Sequence, residues 1–243
     1  MKNIIEEWRS KGRLHFTLID PDKQAPEEAA ALSVKSGEYG TDAIMVGGST
    51  AEGNIVDETV KAVKKESSLP TILFPSTARG VSPNADHIFW MMLMNSKDRR
   101  FLVGEQAKAA IPFSKTSINP IPMGYIVVST SSKPTKVEEV GDVDVIGEGD
   151  VEKALSYALA AQYFGMHCVY LEAGSGADKP VPSLMIRKIK DSLSVPVIVG
   201  GGIRSAEQAK EALASGADAI VSGTVCEKEP ERLADIINAV KTD

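Results

Sequence analysis

The sequence predicts an α/β fold, a (β/α)8 TIM barrel forming one domain over residues 1–243, on three observations. Short β-rich apolar runs alternate with helical patterns from end to end, the pattern of parallel βα units. There are eight such runs, at 14–19, 43–46, 71–74, 87–92, 124–128, 168–171, 195–199 and 219–221. The chain, 243 residues with 43% hydrophobic content, has the size of one such barrel and can bury a large core without staples. The last two runs end in glycine turns, Val195-Pro-Val-Ile-Val-Gly-Gly-Gly-Ile-Arg204 and Val221-Ser-Gly-Thr224. Such turns let backbone N–H groups reach an anion with no Cβ in the way, and barrels commonly hold a phosphate after their last two strands.

The elements follow in order. The residues through Lys11 precede the first run and predict an extra N-terminal helix. They mix Lys, Glu, Arg and Trp with no apolar segment, which excludes both a signal peptide and a membrane span. The runs are mostly apolar on both faces, as strands covered by helices on the outside of a closed sheet must be. Helices are predicted at 27–36, 151–164, 206–215 and 230–240, with Gly37, Gly165 and Gly216 closing the first three. Ser205 with Gln208 three residues on reads as an N-cap pair. The third βα unit is irregular: residues 78–86 contain Gly80 and Pro83 and cannot hold a normal helix, which leaves one side of the barrel open. The fourth run, with Phe89, Trp90, Met91 and Met92, and Phe74 of the third are core residues that could also wall a hydrocarbon groove at that opening. Residues 129–150, rich in Ser, Pro, Gly and charge, follow the fifth run and read either as a lid or as a solvated insertion.

Composition excludes other classes. A net charge of −6 argues against nucleic-acid binding, which needs a basic surface to displace counterions. Cys168 and Cys226 each lie in or beside an apolar run and read as reduced thiols, the expectation for a cytoplasmic protein. No run reaches the roughly 18 apolar residues of a spanning helix, so no stable membrane insertion is expected.

Chemistry concentrates at the strand ends. Asp20, immediately after the first run in Asp20-Pro-Asp22-Lys23, could hold Mg²⁺, which prefers oxygen ligands; the other reading is a turn cluster before the next helix. Gly47-Gly-Ser-Thr50 after the second run is either a second anion-binding turn or a tight connection. Tyr170 and Glu172 are two apart on the sixth strand and share a face that can point into the mouth, with Gly174-Ser-Gly176 behind them. Glu172 is a candidate base and Tyr170 a candidate donor, the alternative being a structural Glu that caps a loop. Anion sites on opposite flanks of the rim imply two substrates with separate phosphates.

Leu18-Ile-Asp-Pro-Asp22, Met45-Val-Gly-Gly-Ser-Thr50, Leu73-Phe-Pro75, Met123-Gly-Tyr125, Tyr170-Leu-Glu-Ala-Gly-Ser-Gly176, Val199-Gly-Gly-Gly-Ile-Arg204 and Gly223-Thr224 occur in this order. With them the chain resembles, over nearly its whole length, the geranylgeranylglyceryl phosphate synthase family, most closely the archaeal branch. The resemblance implies an enzyme joining the C3 hydroxyl of sn-glycerol 1-phosphate to C1 of geranylgeranyl diphosphate with release of diphosphate, the first ether bond of archaeal membrane lipids. It implies Mg²⁺ at Asp20 and Ser49, and catalysis by Glu172 with Tyr170. Glycerol 1-phosphate would lie against Tyr170, Leu171, Glu172, Ala173, Gly174, Ser175, Gly176, Gly201, Gly202, Gly223 and Thr224. Leu18 stands where the smaller bacterial relatives carry lysine. Homo-oligomers, dimers or hexamers, are also implied. Two other readings keep the barrel: an isomerase or lyase acting on a sugar phosphate, and a noncatalytic module binding a phosphate ligand.

Overall fold

The computed structural model describes residues 2–51, 53–229 and 231–242. Eight parallel strands close in sequence order: β1 (Leu14–Ile19), β2 (Ala43–Val46), β3 (Thr71–Leu73), β4 (His87–Leu93), β5 (Asn119–Val127), β6 (Cys168–Glu172), β7 (Val197–Gly200) and β8 (Ala219–Ser222), with β8 pairing back onto β1. Around them lie α2 (Pro26–Tyr39), α3 (Asn54–Glu66), α4 (Glu105–Phe113), α6 (Val151–Tyr163), α7 (Ser183–Ser192), α8 (Ala206–Ala214) and α10 (Glu231–Lys241), with short α5 (Lys136–Gly141) and α9 (Thr224–Lys228). The predicted N-terminal helix is α1 (Ile4–Arg9), capped by the Asn3 side chain. It closes the bottom of the barrel, where Ile5 is fully buried and Trp8 packs edge-on against Phe16 and His87.

Alternation along each strand builds two cores. Phe16, Met45, Ile72, Phe89, Met123 and Ile198 fill the interior, while Ile44, Leu73, Ile126, Leu171 and Val199 pack under the helices. The third unit is irregular as predicted: a single 3₁₀ turn, Ala78–Gly80, stands where a helix would cover β3 and β4.

Several boundaries differ from the sequence expectation. Helix α2 runs through Gly37 and closes at Gly40, whose φ of +99° supplies the left-handed turn. Phe74 lies just past β3, and β7 starts at Val197 and reaches Gly200. Strand β5 begins at Asn119, five residues before the predicted start, despite Pro120 and Pro122. The Pro122 carbonyl points to the β6 side, where it accepts from the His167 N–H. Pairing with β6 starts only at Met123↔Cys168, so the missing proline N–H groups fall outside that ladder. The last predicted helix begins one residue later, at Glu231; Pro230 lies outside the described residues.

A buried histidine ties the C-terminal strand to the first. On the outer face of β1, His15 Nδ1 pairs with Thr41 Oγ1 at 2.7 Å and Nε2 with Ser222 Oγ at 3.0 Å. Burial, with a smaller push from Lys241, lowers its pKa from 6.5 to about 3. The unfolded chain therefore takes up this proton first, and the stabilisation, complete above the unfolded value, is lost as pH falls from 6.5 toward 3. The upper bound is about 5 kcal/mol. Chemical denaturation between pH 7 and 4 is expected to show this loss. His87 and His167, also lowered mainly by burial, add to the slope. His15→Gln is expected to reduce proton uptake on unfolding by about one.

Candidate active site

The C-terminal ends of the strands form two joined cavities. The first is a polar cup enclosing about 740 Å³ at the barrel mouth, lined by Asp20, Lys23, Tyr170, Glu172, Gly201 and Thr224 among others. The second is a groove of about 800 Å³ leading outward past Phe74, Val81, Ile88, Trp90, Phe101 and Ala109. It opens where the third unit lacks its helix. Gly48, Ser49, Phe74, Tyr125 and Val137 line both, so the cavities share one junction.

Loop chemistry after β1 and β2 orients the two acids differently. Asp20 Oδ1 accepts the Asp22 N–H at 3.1 Å and Oδ2 lies 3.2 Å from Lys23 Nζ, while Asp22 accepts from Thr50 Oγ1 at 2.5 Å. Asp20 lines the cup and Asp22 does not. Gly48 leaves room here: a Cβ on it would stand 2.6 Å from Asp20 Oδ1, so the carboxylate would have to turn aside. The absence of a side chain sets the Asp20 carboxylate beside the loop that carries Ser49, an oxygen-only pair suited to Mg²⁺ completed by phosphate and water. Among the described residues, no three His, Cys, Asp or Glu side chains cluster to hold a metal by themselves.

On β6, Tyr170 and Glu172 both point inward. Tyr170 is fully buried, its ring stacked on Phe74 at 5.8 Å and edge-on to Tyr125 at 5.3 Å. Its hydroxyl lies under Gly200, where any Cβ would overlap it, and has no hydrogen-bond partner among the described residues. Glu172, 6% exposed, accepts the Gly174 N–H at 2.6 Å. Burial raises its pKa, opposed by the nearby Tyr170 hydroxyl, which stands close without a well-aligned hydrogen bond, and by the Gly174 N–H. Burial and the Glu172 charge push both Tyr125 and Tyr170 well above the ordinary phenol value. A buried carboxylate of raised pKa beside an unpartnered hydroxyl is an arrangement for moving a proton.

Gly174, Gly176, Gly201 and Gly202 all have φ between +70° and +98°. A Cβ on Gly201 would sit 2.5 Å from Glu172 Oε1, so this turn closes over the acid only as glycine. Ser175 Oγ and Thr224 Oγ1 meet at 3.1 Å across the cup, and Lys23 Nζ reaches Ser175 Oγ at 3.5 Å. Gly223 and Thr224 complete this rim. Leu171 and Ala173 are different: both are buried in the outer core, and neither lines the cup.

Several wall residues carry no signal in the sequence pattern. Val137 comes from α5, inside the 129–150 segment; by contrast Phe74, just past β3, is the groove wall that the sequence suggests, and Tyr125 of β5 belongs to the Met123-Gly-Tyr125 motif. Arg204 also lines the cup while its guanidinium binds the carbonyls of Ala177, at 2.5 Å, and Asp178, at 3.3 Å, bracing the loop after β6. The Thr135-x-x-Glu138 spacing is the readable signal for α5.

Known proteins resemble this chain in sequence and in fold over nearly its whole length. The geranylgeranylglyceryl phosphate synthase of Pyrococcus horikoshii is 51% identical over 94% of this chain and 89% of its own length. A crystal structure of (S)-3-O-geranylgeranylglyceryl phosphate synthase from Thermoplasma acidophilum, in complex with substrate sn-glycerol-1-phosphate, superimposes with a TM-score of 0.93 at 43% identity, covering all of both chains. The wild-type enzyme of Thermoplasma volcanium gives 0.92 at 42% identity, over 99% of this chain and 98% of that one. With the PcrB family model matching residues 3–241, the chain belongs to the PcrB family.

Proposed function

We propose that the chain, working as one domain over residues 1–243, is a Mg²⁺-dependent geranylgeranylglyceryl phosphate synthase. It joins the C3 hydroxyl of sn-glycerol 1-phosphate to C1 of geranylgeranyl diphosphate and releases diphosphate. The observation that carries the reading is the junction: a polar, glycine-rimmed cup and an apolar groove meet beside Ser49, Phe74, Tyr125 and Val137.

Each part has a physical task. Backbone N–H groups at Gly201, Gly202, Gly223 and Thr224 receive the phosphate of the acceptor, with the Ser175 and Thr224 hydroxyls beside them. Tyr170 donates its otherwise unpartnered hydroxyl to the bound glycerol. Glu172 holds the attacking hydroxyl and takes its proton as the C–O bond forms. The prenyl chain lies along Trp90, Phe101 and Ala109, where burying hydrocarbon is favourable by about 25 cal/mol per Å². Asp20 and Ser49 would hold Mg²⁺, which when bound would neutralise the charge of the departing diphosphate. Leu171 and Ala173 contribute backbone alone.

The groove has no use in a sugar-phosphate isomerase or lyase, and the buried Glu172 has none in a passive binding module. Among the described residues no helix is long and apolar enough to cross a membrane. A cytoplasmic setting and homo-oligomeric assembly complete the proposal, the exposed neighbours Tyr163 and Phe164 offering aromatic contact area. Purified chain with Mg²⁺, glycerol 1-phosphate and geranylgeranyl diphosphate is expected to yield the ether and diphosphate. Absence of product with every prenyl length would falsify the assignment.

A further inference from the structure

Glu138 of α5 is a buried carboxylate that the proposed chemistry leaves without a task. It is 8% exposed and accepts from the Thr135 N–H at 2.6 Å, from Thr135 Oγ1 at 2.7 Å and from Ser129 Oγ. An exposed Glu would cap a six-residue helix equally well; burying the charge adds a desolvation cost that must be offset by what it holds in place. What it holds is Thr135, whose side chain fills the space over Gly174: a Cβ there would stand 2.7 Å from both Thr135 Cβ and Cγ2. Gly174 in turn donates its N–H to Glu172 Oε1 at 2.6 Å. Two residues past Thr135, Val137 is part of the wall common to cup and groove. Contacts therefore run unbroken from Glu138 through Thr135 and Gly174 to Glu172, and the same short helix covers the junction.

We infer that Glu138 is a positioning residue for prenyl transfer: by fixing Thr135 over Gly174 and Val137 over the junction, it aims the Glu172 carboxylate and keeps water from the prenyl C1. This rests on the function proposed above. Loss of the positioning has a defined chemical signature. Water then attacks C1 in place of the glycerol hydroxyl; the C1–O bond to diphosphate breaks as in transfer, the new C–O bond is to the water oxygen, and the water proton goes to Glu172 or solvent. The products are prenol and diphosphate.

Glu138→Ala and Thr135→Val in the full chain test this, with Glu139→Gln on the exposed side of α5 as control. Ether, prenol and diphosphate are measured from geranylgeranyl diphosphate with Mg²⁺ and glycerol 1-phosphate, alongside the thermal midpoint. In both variants kcat for ether is expected to fall about tenfold or more, with KM for glycerol 1-phosphate within about threefold and the prenol share up about tenfold, since small misplacement of reacting groups is that costly. Glu139→Gln should match the wild type. Should Glu138→Ala not fold, Thr135→Val decides the matter, because it leaves the backbone and Ser129 donors to Glu138 intact. A wild type that forms no ether sinks the proposed function together with this inference. A wild type that forms ether, beside folded variants with unchanged kcat and prenol share, sinks the inference alone.

Discussion

Glu172→Gln is expected to lower kcat for ether formation by about 10²–10⁴-fold, the usual worth of a positioned general base. KM for glycerol 1-phosphate should change little, because Gln keeps the size of the side chain and can still accept the Gly174 N–H now bound by Glu172. The fold should not suffer. Burial raises the Glu172 pKa, so its contribution to stability is present below the unfolded value and is lost as pH rises through the folded one. The Gln variant is therefore expected to be at least as stable as the wild type, with a margin that widens as pH rises. The same shift puts the acid limb of kcat/KM above the roughly 4.3 of an ordinary Glu, and that limb should vanish in the variant. A folded Gln variant within about tenfold of wild-type kcat removes Glu172 from the role of base.

The strand ends are legible in the sequence because barrel chemistry is local there. Alternation alone puts Tyr170 and Glu172 on one face, and a three-glycine turn can be read as a close backbone approach without knowing what approaches. The groove is legible as a gap and in the walls that the third and fourth runs supply, Phe74, Phe89, Trp90 and Met91. Its other walls come from α4 and from α5, and such non-local convergence leaves no spacing in the chain to read. Gly37 misleads for a related reason. Glycine often ends a helix, but this one faces Leu69, at 3.3 Å from where its Cβ would be, and the left-handed residue comes three positions later at Gly40. Glu138 is hidden among surface-like charges in residues 129–150; only its partners Thr135 and Ser129 reveal that it is buried.

Asp218→Ala is expected to destabilise the fold while sparing turnover, since Asp218 ties the barrel together at the end opposite the mouth. Its carboxylate, 3% exposed, receives Arg9 Nη1 of α1 at 3.0 Å, Lys190 Nζ of α7 at 2.6 Å and the Val197 N–H of β7 at 2.8 Å. Removing one partner of a buried pair costs about 3–5 kcal/mol. The low end, about 3 kcal/mol, applies here because the Arg9 and Lys190 side chains remain 29% and 23% exposed and can turn toward water. For a chain of this length that corresponds to a drop of roughly 6–12 °C in Tm. Asp218→Asn keeps an acceptor for Val197 and is expected to lose less. Scanning calorimetry of both variants, with initial rates at 25 °C, separates the two faces. A Tm within about 2 °C of wild type for Asp218→Ala refutes the stabilising role, and a fall in turnover at full folded fraction would mean that the bottom of the barrel is coupled to the mouth through β7 and β8, the strands that carry the glycine turns.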